Sequence, residues 1–334
     1  MITALWIRLF ISFRKNAILK LLLLSDPFEW GDQPARDRNC GRRTMASRIP
    51  QIPLFTKRMC IFILVYYGIH SFVRFMTGDD YPLMFNTYYY FVVSYSPVYE
   101  MIYLSQIMAA AVYILTFANS IGLYGSIMAI TCSQLEKLRA NLLDIRQELD
   151  SGAETDTEEW REVQTSQEVF CRMQEQLNEC IRHHQQIIRF MRVVEEIFNP
   201  FLVGLFLLLM CGICLTAFSV AMNWGDLYSL SEALLIYCFL MLMLCVYCRF
   251  GEELTNQAES VRHAAWGCDW VGTPVQFQRC LLFIIATANK EFRLTAGKFV
   301  TVSNKTLINI FNQTISFFMF LIQVKDKTED NQNT

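Results

Sequence analysis

Five apolar stretches, each long enough to cross a lipid bilayer, constrain this chain more than any other feature. A spanning helix needs about 20 mostly apolar residues. Met59–Thr77, Met101–Cys132, Ile197–Met222, Leu227–Cys248 and Thr306–Val324 meet that length. The second is longer than a membrane is thick, so it must tilt or continue beyond the bilayer. A chain that is 53% hydrophobic, with 26 Phe and 14 Tyr, fits an all-α polytopic membrane protein. The net charge of −2 argues against nucleic acid as a partner, which leaves membrane lipid as the surrounding phase.

Loop charge sets the orientation, because Lys and Arg concentrate on the cytosolic side. Arg36, Arg38, Arg42, Arg43, Arg48, Lys57 and Arg58 precede the first span, whereas Gly78–Glu100 has no Lys or Arg. Ser133–Glu196 is basic again, Asn223–Asp226 has no positive charge, and Arg249–Lys305 is basic. The pattern predicts inside, outside, inside, outside, inside. With five spans, the C-terminal tail is expected outside. In the first span, His70 falls in the outer half and Arg74 near the surface, where it snorkels.

The first 58 residues break this regularity. Ala17–Leu24 is apolar but short, with Arg8, Arg14, Lys15 and Lys20 interrupting the run around it. It reads as the inner end of a span whose outer part is missing or replaced, followed by a polar cytosolic loop, Ser25–Pro53.

Between the second and third spans, Leu135, Leu138, Leu142, Ile145 and Leu149 recur at helical spacing, as do Phe170, Met173, Leu177, Ile181, Ile188 and Met191. An acidic turn, Asp150–Glu159, separates them. Two helices projecting from the membrane and folding back on each other account for the pattern. Their stripes serve packing within the subunit or contact with partner helices equally well.

The C-terminal region is the most distinctive. Cys280–Asn289 is too brief to cross a bilayer, and a charged turn, Lys290–Lys298, follows it. The last apolar stretch is free of charge yet carries Asn309, Asn312, Gln313, Thr314, Ser316 and Gln323. A spanning helix with that many polar groups points to a water-filled path.

All twelve cysteines fall in expected spans or cytosolic segments, which predicts free thiols. The pairs Cys211/Cys214 and Cys245/Cys248 lie inside apolar runs and read as packing. His183-His184 has no carboxylate or cysteine at ligand spacing on a convincing face. There is no phosphate loop, triad spacing or zinc motif, so neither an enzyme nor a cofactor is expected. The sequons at Asn304 and Asn312 lie at the cytosolic edge and inside a span, out of reach of glycosylation.

The order of several short motifs resembles the insect odorant receptor family. Trp270, Gln278-Arg279 before an apolar run, Ala296-Gly297-Lys298-Phe299, Val302-Ser303 and the last helix follow the family's order and spacing. Ser96-Pro97 with Tyr99, Tyr103 and Gln106 resembles the approach to the family's fourth helix. His184, Ile187-Ile188 and Glu195-Glu196-Ile197-Phe198 resemble the run into its fifth.

The resemblance implies a seven-helix fold of inverted topology, N-terminus in and C-terminus out, with the five spans as helices three to seven. The first helix then has no counterpart here. On this reading residues 1–58 are a partial second helix and cytosolic loop, and residues 59–132 are helices three and four with an outer loop. Residues 133–196 are cytosolic extensions with anchor or oligomer contacts, and residues 197–250 are helices five and six. Residues 251–304 are a cytosolic anchor with a half-helix at 280–289, residues 305–324 the pore-lining last helix, and residues 325–334 an extracellular tail.

The resemblance further implies a plasma-membrane odorant receptor of sensory dendrites, gating a non-selective cation channel together with an odorant co-receptor. The long inner loop typical of the co-receptor is missing, which favours a ligand-tuning subunit. The matched ending FMFLIQVK puts the pore gate at Phe320 and Val324, with Gln323 as a polar ring beside them. Apolar constrictions of this kind gate by dewetting.

A pocket for a small, volatile, apolar odorant needs a buried aromatic lining with one or two polar groups. The outer halves of the spans offer Tyr67, His70, Ser71 and Phe75, then Tyr103, Gln106 and Ile107, then Phe218 and Met222, then Leu234 and Tyr237. His70 is the sharpest of these, as an ionisable group within a span. A gustatory receptor of the same superfamily is the rival reading, although the last helix lacks the Thr-Tyr and Gln-Phe pattern expected there. A G-protein-coupled receptor is a second rival. It is disfavoured by the orientation and by Asn199-Pro200 lacking the rest of an NPxxY signature. No paired broken helices or internal repeat support a transporter.

Overall fold

The computed structural model describes residues 2–28, 36, 41, 43–76, 97–145, 158–222, 227–290 and 292–332. Most of the expected outer loop 78–100, most of the acidic turn 150–159 and the loop 223–226 lie outside these residues. The side chains of His70, Ser71, Arg74 and Phe75 are likewise not described.

Over the described residues the chain is helical almost throughout. Its order is α1 (Ile2–Phe13), α2 (Lys15–Ser25), α3 (Met45–Arg48), α4 (Gln51–Met76), α5 (Val98–Leu143), α6 (Glu158–Met222), α7 (Leu227–Gly267), α8 (Val275–Ala288), a hairpin of β1 (Thr295–Ala296) and β2 (Val300–Thr301), and α9 (Asn304–Gln332). The five apolar stretches lie on α4, α5, α6, α7 and α9, the five described helices long and apolar enough to cross a membrane. The protein is a multi-pass membrane protein.

Helix length decides where the core sits. At about 1.5 Å per residue, the 46 residues of α5 run about 69 Å and the 65 of α6 about 98 Å, far beyond a hydrocarbon layer of about 30 Å. The excess lies at the basic end, where the helices pack most tightly. Leu135, Leu138, Leu142 and Ile145 of the α5 stripe and Met173 and Leu177 of the α6 stripe are at most 2% exposed. Those residues are therefore spent on packing within the subunit. Phe170, Ile181 and Ile188 remain partly exposed.

The N-terminal segment is more helical than its charges led the sequence to read. Beyond Ala17–Leu24, helix extends back to Ile2, with a single break at Arg14 whose N–H still reaches the Phe10 carbonyl at 2.9 Å. Ala4, Ile7 and Phe10 form a buried face packed against α5 and α6. Arg8 is accommodated because its Nε donates to Thr116 Oγ1 at 3.2 Å. The half-helix expected at 280–289 also begins earlier, at Val275, directly after Pro274, whose missing N–H costs nothing at a helix start.

A small hairpin joins α8 to α9. Thr295 pairs with Thr301 and Ala296 with Val300. Gly297, Lys298 and Phe299 close the hairpin; Gly297 and Lys298 both have positive φ, 66° and 61°, as the tight turn closed by the Phe299 N–H on the Ala296 carbonyl at 3.3 Å requires. Gly297 also abuts Val203 of α6, where a Cβ would lie 2.6 Å from Val203 Cγ2. Glycine is needed there for both reasons.

Candidate functional site

α9 carries three distinct faces. Ile310 and Thr314, one turn apart, are buried, and Leu307 packs beside them against the α6 and α7 side of the core. A second face is apolar and exposed: Ile308, Phe311, Ile315 and Met319. The third is polar and exposed: Asn309, Asn312, Gln313 and Ser316. At about 100° per residue, Phe320, Gln323 and Val324 continue this polar line within roughly 60° of it. Phe320 is 58% exposed and Val324 45%, and Gln323 is exposed as well. Asn and Gln side chains facing lipid leave amide groups without partners, which is costly. Beside water they are solvated. The polar face of α9 is thus built to meet water or another polar face.

The base of α9 is held firmly. Ser303 Oγ accepts the Thr306 N–H at 3.4 Å, Glu252 Oε2 accepts the Asn304 N–H at 3.3 Å, and Thr306 Oγ1 donates to the Thr301 carbonyl at 2.7 Å. These contacts satisfy donors that a helix N-terminus leaves open.

The ligand candidates are distributed unevenly. Gln106 is buried, and Tyr67, Tyr103 and Tyr237 are half-buried. Tyr67 meets Tyr66 edge-on at 5.6 Å, Tyr103 stacks on Tyr99 at 5.9 Å, and Tyr237 packs on the core. Ile107, Phe218, Met222 and Leu234 are exposed on the outside of the single chain. His70, Ser71 and Phe75 fall on residues whose side chains are not described.

Two described clefts lie deeper, toward the basic end. One, of about 20 Å³, is wholly apolar and lies among Met59, Cys60 and Ile63 of α4, Ile114 and Phe117 of α5 and Phe239 of α7. It has room for about one water. The other, an open groove of about 340 Å³, runs between Met241 and Cys245 of α7 and Leu307, Ile308 and Phe311 of α9. None of the eight described ligand candidates lines either cleft. The first cleft's nearest lining residues, Ile63 and Ile114, lie about 6 Å along α4 from Tyr67 and about 12 Å along α5 from Gln106.

Deeper than the ligand candidates is a buried aromatic floor that the sequence did not reveal. Tyr124 and Tyr247 are fully buried, their rings 4.8 Å apart. Tyr247 Oη lies 3.1 Å from Ser120 Oγ, and Tyr124 Oη donates to the Tyr247 carbonyl at 3.2 Å. Phe198 meets Tyr124 edge-on at 5.3 Å. The two hydrogen bonds join α5 to α7 across the core.

A family model of the 7tm odorant receptors matches residues 9–315. The chain belongs to this family. As an odorant receptor it is 25% identical over 191 residues to odorant receptor 2a of Drosophila melanogaster, covering 57% of this chain and 46% of that one. It is 22% identical over 146 residues to the odorant receptor coreceptor of Anopheles gambiae, covering 43% of this chain and 30% of the other. The matches thus span less than half the length of these curated relatives. The fold is similar to that of the olfactory receptor OR5 from Machilis hrabei, solved in complex with eugenol. The TM-score is 0.67 at 17% identity, over 97% of this chain and 78% of that one. The seven-helix receptor fold is therefore shared. This odorant receptor belongs to a family of receptors and not of enzymes.

His183 and His184, the one histidine pair, serve packing in the receptor. His183 Nε2 lies 3.2 Å from Gln134 Oε1, and Phe28 sits 6.4 Å from its ring. His184 is buried. Among the described residues no group of three metal-ligating side chains forms.

Proposed function

We propose that this receptor is the ligand-tuning subunit of an odorant-gated, non-selective cation channel assembled with an odorant co-receptor in the plasma membrane of sensory dendrites. The observation that carries the reading is the polar face of α9, which is exposed in the single chain and runs in line from Asn309 to Phe320 and Gln323. Several such faces around one axis enclose a hydrated path. Phe320 and Val324 then form the apolar constriction and Gln323 the polar ring that hydrates a passing cation.

Odorants enter the outer half of the bundle. Tyr67, His70, Ser71 and Phe75, Tyr103, Gln106 and Ile107, Phe218 and Met222, and Leu234 and Tyr237 are assigned to this pocket. Gln106, a buried amide, suits one polar anchor within an aromatic lining. A ligand opens the channel only by binding the open state more tightly.

The test is odour-evoked current in cells expressing this chain, with and without an odorant co-receptor, using eugenol and a panel of volatile esters and alcohols. Current that requires both chains supports the reading. Current from this chain alone would remove the co-receptor from it. A surface-expressed pair that passes no current to any member of the panel would count against channel function. Unchanged odour profiles after Tyr103→Ala, His70→Ala and Tyr237→Ala would displace the pocket from the outer half.

A further inference from the structure

Glu195 and Asn199 sit one turn apart on α6, immediately before Pro200. Both reach across to the hairpin that starts α9. Asn199 Nδ2 donates to the Thr295 carbonyl at 3.1 Å and to Thr295 Oγ1 at 2.8 Å, and Thr295 Oγ1 donates to Glu195 Oε1 at 3.3 Å. One threonine is thus gripped through both its main chain and its side chain. Opposite this grip, Gly251 of α7 lies so close to the Val302 carbonyl that a Cβ would come within 2.6 Å of it. Glu252, its neighbour, holds the Asn304 N–H. The hairpin is clamped from both sides, by side-chain hydrogen bonds on α6 and by backbone contact on α7.

Pro200 adds a second element. It has no N–H, so the Glu196 carbonyl loses its helical partner one residue beyond the grip, and α6 is locally weaker there. The one region of α6 with reduced backbone bonding is therefore the region tied to the base of α9.

We infer that the Glu195–Asn199–Thr295 clasp fixes the base of α9 to α6, so that a shift of α6 at Pro200 is carried into the last helix. The inference rests on the channel reading for its consequence, but the clasp itself does not depend on it. Asn199 and Thr295 act as positioning residues. Their hydrogen bonds run to one another and to Glu195, not to the polar face of α9 or to the described pocket residues. Thr295→Val removes the hydroxyl while keeping shape, and Thr295→Ser restores it.

Two measurements decide the matter on the full-length chain assembled with a co-receptor. The first is the concentration dependence of eugenol-evoked current, compared at matched surface levels. Thr295→Val and Asn199→Ala each remove two hydrogen bonds and are expected to shift the half-maximal concentration by at least about two- to tenfold, the span that one net hydrogen bond alone sets. Thr295→Ser should behave as the unmodified chain. A merely structural role would lower surface level and leave the half-maximal concentration where it was, and that result overturns the inference. The second is amide hydrogen exchange of residues 292–307 in lipid nanodiscs. Faster exchange in Thr295→Val than in Thr295→Ser supports the clasp, and equal rates overturn it. A wild-type assembly silent to every ligand would sink the channel reading, while the exchange rates would still decide whether the clasp holds α9.

Discussion

Trp6 of α1 occupies the space that any side chain at Gly204 of α6 would fill. The ring lies directly over the Gly204 Cα, and its Nε1 donates to the Phe201 carbonyl at 3.3 Å. Gly204→Ala is expected to push the indole out and break that bond, destabilising the fold by about 1–3 kcal/mol. In the Trp6→Ala background the same change should cost much less, because the partner is already gone. Thermal melts of the four variants in detergent measure the coupling, and strictly additive losses would rule out the contact.

The receptor fold was legible in the sequence where hydropathy alone decides, and illegible where partners lie far apart in the chain. The five spans follow from long apolar runs. The helix at Ile2–Phe13 is obscured by Arg8, whose partner Thr116 lies on another helix. The clasp joins Asn199 to Thr295 across 96 positions, and Asn199-Pro200 by itself signals only a helix with one bond missing. Aromatic residues in spans were equally ambiguous. Tyr124 and Tyr247 look like any other membrane tyrosines, and only the fold shows that they form the floor of the bundle. Depth in the membrane does not tell an inward face from an outward one, and among the pocket candidates Phe218 and Met222 face outward in the single chain.

On the proposed channel reading, substituting the end of the polar line on α9 should loosen the closed state. Phe320→Asn and Val324→Asn are each expected to raise ligand-free current, since a polar ring wets more readily than an apolar one. Ile315→Asn, on the exposed apolar face, should instead reduce assembly or surface level. Patch recordings paired with surface biotinylation separate the two effects, and unchanged resting current and ion selectivity in both gate variants would count against the assignment.

Tyr247 permits a graded test of the aromatic floor. Tyr247→Phe removes one hydroxyl from Ser120, whose Oγ keeps its bond to the Phe117 carbonyl at 2.9 Å. The expected cost is about 0.5–1.5 kcal/mol. Tyr247→Ala empties a fully buried site and should cost about 3–5 kcal/mol. Denaturation midpoints in the same detergent order the pair, and near-equal losses would mean that the site collapses without a cavity.

Two cysteines outside the bilayer should differ sharply in reactivity. Cys268 is buried, its Sγ lies 3.2 Å from the Ala265 carbonyl, and burial pushes its thiol up to about 11. Cys171 is exposed. The thiolate is the reactive form, so Cys268 stays protonated and unmodified near neutrality and gains reactivity only as pH rises toward its raised value. Maleimide mapping by mass spectrometry at about pH 7.5 should therefore mark Cys171 and spare Cys268. Equal labelling in the folded receptor would contradict the burial of Cys268.

Pro200 divides α6 into unequal lever arms. Some 22 residues, about 33 Å, lie on the side of the expected odorant pocket, and some 42, about 63 Å, lie on the other. Were α6 a rigid rod turning about that point by about 5°, its outer tip would travel about 3 Å and its far tip nearly twice as far. The long arm is interlocked with α5, with Met173, Leu177 and Val194 fully buried, and a close-packed interior resists a sweep of that size. A displacement of α6 from the outer side therefore concentrates at the proline, where Glu195 and Asn199 pass it to the base of α9, and the far end of the long arm serves as ballast.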